Sequence, residues 1–241
     1  MQESSPPPFS IRIFADGADS AAMAKRYREG FVRGFTTNPT LMAKAGIRDY
    51  EAFAREVLGV IRDLPISFEV FSDEFADMER QALRIASWGS NVNVKIPITN
   101  TRGEPALRLI RSLLAKKVKL NVTAILARDQ WLGLREVLNA EDDVIVSIFA
   151  GRIADTGVDP VPMMTQAVQD FGAFPKVQVL WASPREALNI YQADACGCHI
   201  ITATDDLISK VQSLGGKSLS EFSLETVRMF YGDAQKAGFR L

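Results

Sequence analysis

The sequence has few residues that bind metals or form disulfides. Its 241 residues include two cysteines, Cys196 and Cys198, and one histidine, His199. A closed zinc site needs four Cys or His ligands, and a Ser–His–Asp triad needs a histidine base. The apolar segment around these residues favours cysteines buried on one face of a strand and a histidine in the core over a disulfide, a metal site or a base. A closed zinc site of Cys and His ligands is therefore excluded, and a histidine-dependent triad is disfavoured.

The sequence also lacks an excess of charge and a long apolar segment. It carries 28 Lys and Arg against 29 Asp and Glu, so no overall field attracts nucleic acid or an anionic membrane. No segment reaches the roughly 20 apolar residues of a membrane helix, and the Pro-rich start lacks the features of a secretory signal. We expect a cytoplasmic protein that binds neither nucleic acid nor membrane and captures any anion locally.

What the sequence does contain is a series of short apolar segments rich in β-forming residues. Their spacing of about 20–35 residues suits a strand, a helix and two loops. Because they are nearly continuous in apolar residues, they predict strands covered on both faces, as in a parallel sheet. The predicted strands are 11–15, 34–37, 66–71, 92–98, 119–123, 144–149, 177–182 and 199–203.

Eight such units in one chain predict an α/β fold, a closed (β/α)8 TIM barrel, which typically takes about 250 residues. The alternative is a doubly wound open sheet, but residues 16–19 read Asp-Gly-Ala-Asp and lack its Gly-rich phosphate loop. We expect a disordered N-terminal arm at 1–10, a single barrel domain at 11–241, and an extra C-terminal helix at 219–238 that covers the barrel mouth or a partner subunit.

Polar residues follow or end most of the predicted strands. In a barrel, functional side chains gather at the carboxyl ends of the strands. A single polar strand end is ordinary because it meets solvent, but a whole series indicates an active site. The series comprises Asp16, Asn38, Glu69, Lys95, Asn121, Thr123, Ser147, Ser183 and Arg185.

Lys95 is the central candidate. Alternation along 91–96 places Asn91, Asn93 and Lys95 on one face, so Lys95 points into the barrel. A buried lysine is rare unless it is paired or functional, and burial favours the free amine that attacks a carbonyl to form a Schiff base. The alternative is a structural ion pair with Glu69.

The neighbouring candidates could move protons or orient the substrate. Glu69 is a charged residue among large hydrophobic residues. It could carry protons as the general acid/base, since no histidine is available for that role. Asp16 could accept a proton from a substrate hydroxyl or cap the following helix. Asn38 could be a turn residue, since it precedes a proline. Asn121 and Thr123 share a face and could orient water or substrate hydroxyls.

Arg152, Ser183 and Arg185 form a candidate anion site. Arg152 follows the sixth strand, and the other two flank a proline that we expect to begin a helix. Helix N-termini and guanidinium groups both bind phosphate, and phosphate sites near strands seven and eight recur in this fold. The alternative is a pair of solvent-facing arginines on loops.

Six motifs at these strand ends resemble those of the transaldolases, and the resemblance spans residues 11–237. The motifs are Phe-Ala-Asp at 14–16, Thr-Thr-Asn-Pro at 36–39, Val-Lys-Ile-Pro at 94–97, Asn-Val-Thr-Ala at 121–124, Ser-Ile-Phe-Ala-Gly-Arg at 147–152 and Ala-Ser-Pro-Arg at 182–185. In length the chain resembles the short bacterial forms. The related fructose-6-phosphate aldolases carry Gln in place of Glu69 and Tyr in place of Phe149, so the chain is more similar to the transaldolases.

The resemblance implies an enzyme of the pentose phosphate pathway that uses a Schiff base, with neither metal nor cofactor. The donor, sedoheptulose 7-phosphate or fructose 6-phosphate, would pass a dihydroxyacetone unit to an aldose phosphate. The implied roles are a Schiff-base nucleophile (Lys95), holders of a catalytic water (Glu69, Thr123), an acid/base (Asp16), dihydroxyacetone binding (Asn38, Asn121, Ser147) and phosphate binding (Arg152, Ser183, Arg185).

Besides sugar phosphates, we expect a second copy of the chain as a partner, in a homo-oligomer. The alternatives are an enzyme similar to the fructose-6-phosphate aldolases, a transaldolase with an unusual acceptor from specialised metabolism, and a barrel that binds a sugar phosphate without catalysis or serves as an assembly subunit.

Overall fold

The computed structural model describes residues 9–240 and shows a closed barrel of parallel strands. The strands follow one another in chain order, and the last pairs with the first. This confirms the predicted TIM barrel and excludes the open sheet. The strands are β1 (Arg12–Asp16), β2 (Phe35–Thr36), β3 (Ile66–Glu69), β4 (Val92–Pro97), β5 (Leu120–Ile125), β6 (Val144–Ile148), β7 (Val177–Trp181) and β8 (Ile200–Ala203).

Helices follow the strands and cover the barrel. The helices are α1 (Ser20–Glu29), α2 (Pro39–Lys44), α3 (Tyr50–Val60), α4 (Phe75–Ala86), α5 (Leu107–Ala115), α6 (Arg128–Val137), α7 (Ala150–Asp155), α8 (Pro160–Asp170), α9 (Leu188–Ala195), α10 (Asp205–Leu214) and α11 (Leu219–Ala237). The extra C-terminal helix is therefore confirmed as α11. Within residues 9–240, no helix combines the length and apolar character needed to cross a membrane.

Most of the predicted N-terminal arm, residues 1–8, lies outside the described residues. The last two residues of the arm contact α9. The Phe9 ring packs edge-on against Tyr191, and the Ser10 amide donates a hydrogen bond to Asp194.

Within the described part of the chain, the buried apolar side chains form two separate clusters. The larger lies between the strands and the helices and includes Val94 and Ile96 of β4. The smaller joins side chains from different strands, Phe14, Ile145, Leu180, Ala182 and Ile200. Because successive side chains of a strand point to opposite faces, Asn93 and Lys95 face away from Val94 and Ile96. The polar side chains of β4 therefore face the barrel interior.

The segment before β8 differs from the prediction. Cys196 caps the C-terminus of α9, and Gly197 has a φ of 80°, so the cysteines lie in a turn rather than a strand. Cys198 is buried, but His199 is exposed, and its Nδ1 accepts a hydrogen bond from the Val179 amide at 3.0 Å. The left-handed turn interrupts the alternation on which the prediction rested, and the core position expected for His199 was wrong.

Candidate active site

Lys95 lies on the inner face of β4 and is only 6% exposed. Its Nζ donates a hydrogen bond to the Thr37 carbonyl at 2.9 Å and lies 3.0 Å from Glu69 Oε2. Glu69 and Lys95 are register partners on β3 and β4, which places both side chains on the same face. The ion pair considered as an alternative is therefore present, and it puts a carboxylate within proton-transfer distance of the amine.

Asp16 ends β1 and belongs to the same cluster. Burial raises the pKa of the Asp16 carboxyl and the charge of Glu69 adds to this rise, whereas Lys95 and a hydrogen bond from Thr36 lower it. The helix-cap alternative for Asp16 is wrong, because Asp19 caps α1 by accepting a hydrogen bond from the Ala22 amide.

Two threonines form a hydroxyl chain that ends on Asp16. Thr36 Oγ1 donates to Asp16 Oδ1 at 2.7 Å and lies 2.5 Å from Thr202 Oγ1. Because Thr36 uses its single proton on Asp16, Thr202 must be the donor to Thr36. Both threonines are buried, so the chain holds one oxygen of Asp16 in place.

A buried polar chain joins side chains of β3, β5 and β6 in the barrel interior. Asn121 is the register partner of Lys95 on β5. Its Nδ2 donates to Ser67 Oγ at 3.1 Å, and its Oδ1 accepts from Ser147 Oγ at 2.6 Å. The sequence pattern placed Asn121 and Ser147 at this end of the barrel, and the structure brings them into direct contact.

Thr123 lies two residues beyond Asn121 and is 1% exposed. The register of β5 against β6 shifts between Val122 and Ile125, and Ala124 has a φ of 60°, which marks a β-bulge next to Thr123. Bulges re-aim side chains at such places. Within residues 9–240, Thr123 Oγ1 has no hydrogen-bond partner, so this buried hydroxyl has a free bond to offer water or a substrate.

Asn38 caps the N-terminus of α2. Its Oδ1 accepts a hydrogen bond from the Leu41 amide at 2.9 Å, which confirms the turn role considered from the sequence. Thr37 lies immediately before Asn38 and supplies the carbonyl that binds Lys95. The loop after β2 therefore supports the lysine through its backbone and presents the Asn38 side chain at the same end of the barrel.

Arg152 and Arg185 are exposed, as the loop alternative expected, and both lie near Asp155. Arg185 Nε donates to Asp155 Oδ1 at 2.9 Å, and Nη2 binds the other carboxylate oxygen. This hydrogen bonding and the charge of Arg152 lower the pKa of Asp155. The Arg152 guanidinium lies over the Phe149 ring, 5.1 Å from its centroid.

Ser183 follows β7 in a left-handed conformation with a φ of 60°. Its carbonyl packs against Gly151, where an added Cβ would lie 1.5 Å from the Ser183 oxygen. The helix expected at Pro184 begins instead at Leu188, because Asn189 Oδ1 accepts the Arg185 and Glu186 amides and holds the intervening loop. Ser183 and Arg185 therefore lie on a loop, not in the first turn of a helix.

The sequence reasoning missed several residues that contact this site. Inward alternation on short strands could have indicated Thr36 and Thr202. No local signal indicated Asp155 or Tyr50, since each contact joins residues that only folding brings together.

Tyr50, at the start of α3, holds the end of β3. Its hydroxyl accepts from the Glu69 amide at 2.7 Å and donates to the Glu69 carbonyl at 3.0 Å. Its ring packs edge-on against Phe68 and Trp88, and burial raises the pKa of the Tyr50 hydroxyl. Tyr50 therefore stays protonated and fixes the backbone from which the Glu69 side chain projects.

Comparison with known sequences gives one consistent description. Residues 13–241 match the sequence profile described as transaldolase/fructose-6-phosphate aldolase. A protein of Dehalococcoides mccartyi called "Probable transaldolase" is 35% identical over 80% of this chain and 86% of its own length. "Probable transaldolase 2" of Listeria monocytogenes is 32% identical over 84% and 89%. "Probable transaldolase" of Streptococcus agalactiae is 31% identical over 90% and 95%.

The similarity to solved structures supports the barrel fold and nothing more specific. A 2,3-dimethylmalate lyase superposes with a TM-score of 0.56 at 11% identity, covering 95% of this chain and 84% of the other. A dihydrodipicolinate synthase of Rhodopseudomonas palustris superposes with a TM-score of 0.54 at 15% identity, covering 96% and 80%. At such low identity the likeness concerns the fold.

Proposed function

Because the chain belongs to the transaldolase/fructose-6-phosphate aldolase family, we propose that it is a transaldolase that acts through a Schiff base on Lys95. The single observation that carries the proposal is the buried Lys95 amine, 3.0 Å from the Glu69 carboxylate and close to the partly buried Asp16. A buried amine beside a proton acceptor suits nucleophilic attack on a carbonyl. The donor would be sedoheptulose 7-phosphate or fructose 6-phosphate.

In the first step, the Lys95 ammonium passes a proton to Glu69, and the free amine attacks the C2 carbonyl of the ketose. The new C–N bond gives a carbinolamine, whose hydroxyl takes a proton from Glu69 and leaves as water. The product is an iminium ion on Lys95. The unsatisfied hydroxyl of Thr123 supports a role in holding the water that is released here and used again at the end.

In the second step, Asp16 removes the proton of the C4 hydroxyl while the C3–C4 bond breaks. The bonding electrons move into the iminium, which becomes an enamine, and an aldehyde leaves. The raised pKa of Asp16 suits a group that must accept this proton and return it. The enamine then adds to the carbonyl of an aldose phosphate, and water hydrolyses the new iminium to release the product.

Two groups of residues around Lys95 would bind different parts of the substrate. Asn121 and Ser147, which bind each other next to Lys95, and Asn38 would bind the hydroxyls of the dihydroxyacetone unit. The phosphate would be bound by Arg152, Ser183 and Arg185. The Asp155 carboxylate already interacts with the guanidinium groups of both arginines, which indicates the position that the phosphate would take. A phosphate must displace Asp155 to form a forked contact with Arg185.

The alternative function is simple aldol cleavage, as in the fructose-6-phosphate aldolases. Glu69 and Phe149, which stand where the resemblance places Gln and Tyr in those aldolases, favour transfer over cleavage. A carboxylate at position 69 favours addition of the enamine to an aldehyde over its protonation. The pentose phosphate pathway and an aldose phosphate as the acceptor are also parts of this proposal.

Trapping with borohydride tests the proposal. Borohydride reduces an iminium to a stable amine, so incubation with fructose 6-phosphate is expected to add a dihydroxyacetone-derived mass to the peptide that contains Lys95. Lys95→Ala should abolish labelling and lower turnover by a factor of about 10³ or more, while Lys210→Ala, which alters an exposed lysine of α10, should change neither.

Absence of the adduct from active enzyme would overturn the Schiff-base mechanism. To separate transfer from cleavage, the same enzyme is given fructose 6-phosphate with and without erythrose 4-phosphate. Formation of sedoheptulose 7-phosphate without release of free dihydroxyacetone supports transfer, and release of dihydroxyacetone at the same rate in both reactions supports the aldolase alternative.

A further inference from the structure

A cavity of about 390 Å³ opens at the end of the barrel opposite Lys95. We call it the basal cavity. Its lining includes Arg12 at the start of β1, Lys119 and Asp143 immediately before β5 and β6, and Gln178 near the start of β7. The cavity therefore lies at the amino ends of the strands, and its volume falls within the range of small-molecule sites.

The basal cavity holds more cationic than anionic groups. Arg12, Arg62 and Lys119 line it together with Asp63 and Asp143. Because three cations face two carboxylates, the net charge of the lining favours an anion.

Several hydrogen-bond donors of the basal cavity remain available. Arg12 Nη2 donates to Gln178 Oε1 at 2.6 Å, and within residues 9–240 its other N–H groups have no side-chain or carbonyl acceptor. Lys119 Nζ donates to the Ser90 carbonyl at 3.0 Å and keeps two further protons. Arg62 donates through Nε to the Gly59 carbonyl, and no other acceptor among the described residues binds the rest of its guanidinium fork.

Asn93 provides an independent sign that the basal cavity takes a ligand. It is 6% exposed, lies on the inner face of β4 and lines the cavity. Within residues 9–240, its side-chain amide makes no hydrogen bond, whereas the neighbouring Asn91 donates to the Ile61 and Leu64 carbonyls. The Asn93 amide still reaches the solvent of the cavity, because its atoms are not among the buried side-chain atoms that lack a partner. It is therefore free to bind a polar occupant of the cavity.

We propose that the basal cavity binds a small anion that also carries hydroxyl groups, such as a phosphate monoester of a polyol. Arg12, Arg62 and Lys119 bind the anionic group, and Asn93, Gln178 and Asp143 bind the hydroxyls. The catalytic cluster is not part of this site. Asn93 and Lys95 share a face of β4, but Lys95 is directed to the opposite end, where Arg152 and Arg185 lie. The inference therefore stands whether or not the proposed function holds.

Calorimetry with glycerol 3-phosphate tests the proposal, because this probe has a phosphate and two hydroxyls but no carbonyl that could react with Lys95. The unaltered protein is expected to bind it at the basal cavity as well as at the phosphate site of the catalytic end. Arg62→Gln combined with Lys119→Gln should weaken the basal binding at least tenfold, while Arg185→Ala should leave it intact. Both substituted positions of the double variant are exposed.

Arg33→Gln is the matched control. Arg33 is an exposed arginine that donates to the carbonyl three residues before it, as Arg62 does, but it does not line the basal cavity. Its substitution should leave both binding events unchanged. Equal binding by the double variant and the unaltered protein would overturn the site.

Two further probes test the ligand class. Inorganic phosphate should bind the basal cavity about tenfold more weakly than glycerol 3-phosphate, and glycerol should not bind. Equal binding of phosphate would overturn the role given to the hydroxyls, and binding of glycerol would overturn the role given to the anion.

Crystals of the unaltered protein soaked in glycerol 3-phosphate provide a test that needs no variant. Density for the probe in contact with Arg12 and Asn93 is expected, and density confined to the catalytic end would refute the proposal.

Discussion

The Lys95 amine is held by two oxygen acceptors that differ in what they can do. The Thr37 carbonyl only fixes its position, whereas the Glu69 carboxylate can also take its proton. A second carboxyl, Asp16, has its pKa raised by burial and is held by Thr36. At the scale of single residues, the site therefore combines one amine with two carboxyl groups in different surroundings, the usual means of dividing acid and base roles.

Tyr50→Phe tests whether the backbone support of Glu69 matters. The substitution removes both hydrogen bonds to Glu69 but keeps the ring that packs against Phe68 and Trp88. We expect kcat and the rate of borohydride-trappable iminium formation to fall about tenfold, a small part of what a proton-transfer group contributes, with little change in KM. The control is Tyr27→Phe, since the Tyr27 hydroxyl binds Asp63 at the other end of the barrel. An unchanged rate of iminium formation would contradict a positioning role for Tyr50.

Arg185→Ala and Asp155→Asn form a matched pair for the phosphate site. Loss of a charged hydrogen-bond donor costs about 1.5–3 kcal/mol, so Arg185→Ala should raise KM for phosphorylated donors by roughly 10- to 100-fold. It should leave unphosphorylated dihydroxyacetone donors unaffected. Asp155→Asn removes the carboxylate that occupies Arg185 and should lower KM for the phosphorylated donors. Steady-state kinetics on both donor types are the measurement, and an equal loss on both with Arg185→Ala would rule out a phosphate contact.

At the scale of elements, the loops after β6 and β7 are held together by backbone contact. The start of α7 lies so close to the end of β7 that Gly151 leaves no room for a side chain beside the Ser183 carbonyl. Ser183 keeps a left-handed conformation at this contact. Because the obstructing atom belongs to the backbone, neither loop can yield without moving the other, and both carry arginines of the phosphate site.

Gly151→Ala should therefore destabilise the protein, lowering the free energy of unfolding by about 3 kcal/mol, as overpacking in a tight region does. Gly133→Ala is the control, because its added Cβ lies 3.5 Å from Leu107 Cδ1 in ordinary contact and replaces glycine within helix α6. That control should raise stability by about 0.5–1 kcal/mol. Urea unfolding measures both, and equal stabilities would show that the loops separate easily.

At the scale of the whole molecule, α11 stands apart from the barrel. None of its 19 residues is buried. Its large apolar side chains are exposed along the helix at Leu219, Phe222, Leu224, Val227, Met229, Phe230 and Tyr231. Most helices in proteins gain their stability by packing an apolar face, and large exposed apolar patches usually mark interaction surfaces. The expectation of a homo-oligomer stays a prediction, and α11 is the surface on which it depends.

Replacing both Phe230 and Tyr231 of α11 with Glu should reduce the assembly to a smaller species, because burying the introduced carboxylates without partners is costly. Sedimentation equilibrium measures the mass of each protein. Lys236→Glu, at the polar end of the same helix, should leave the mass unchanged. A monomeric unaltered protein, or an assembly that survives the double substitution, would refute the role of α11.

The predictable part of the site followed from strand periodicity. Alternation along β4 was enough to direct Lys95 inward, and the register of Glu69, Lys95 and Asn121 then follows from adjacent parallel strands. The Asp155–Arg185 pair and the Tyr50–Glu69 contacts were not predictable, because they join segments whose approach depends on how loops and helices pack. The turn at Gly197 also escaped prediction, since one left-handed residue reverses the face on which later residues lie.

By itself, the sequence determined the closed barrel, the strands that supply its inner face and the end at which polar groups gather. These depend on local periodicity and on chain order, which are present in a single sequence. Only the tertiary structure decided which polar groups meet and which stay unsatisfied, as the buried Thr123 hydroxyl shows. Hydrogen bonds depend on distances of a few tenths of an ångström between residues far apart in the chain, and these distances exist only once the barrel has closed.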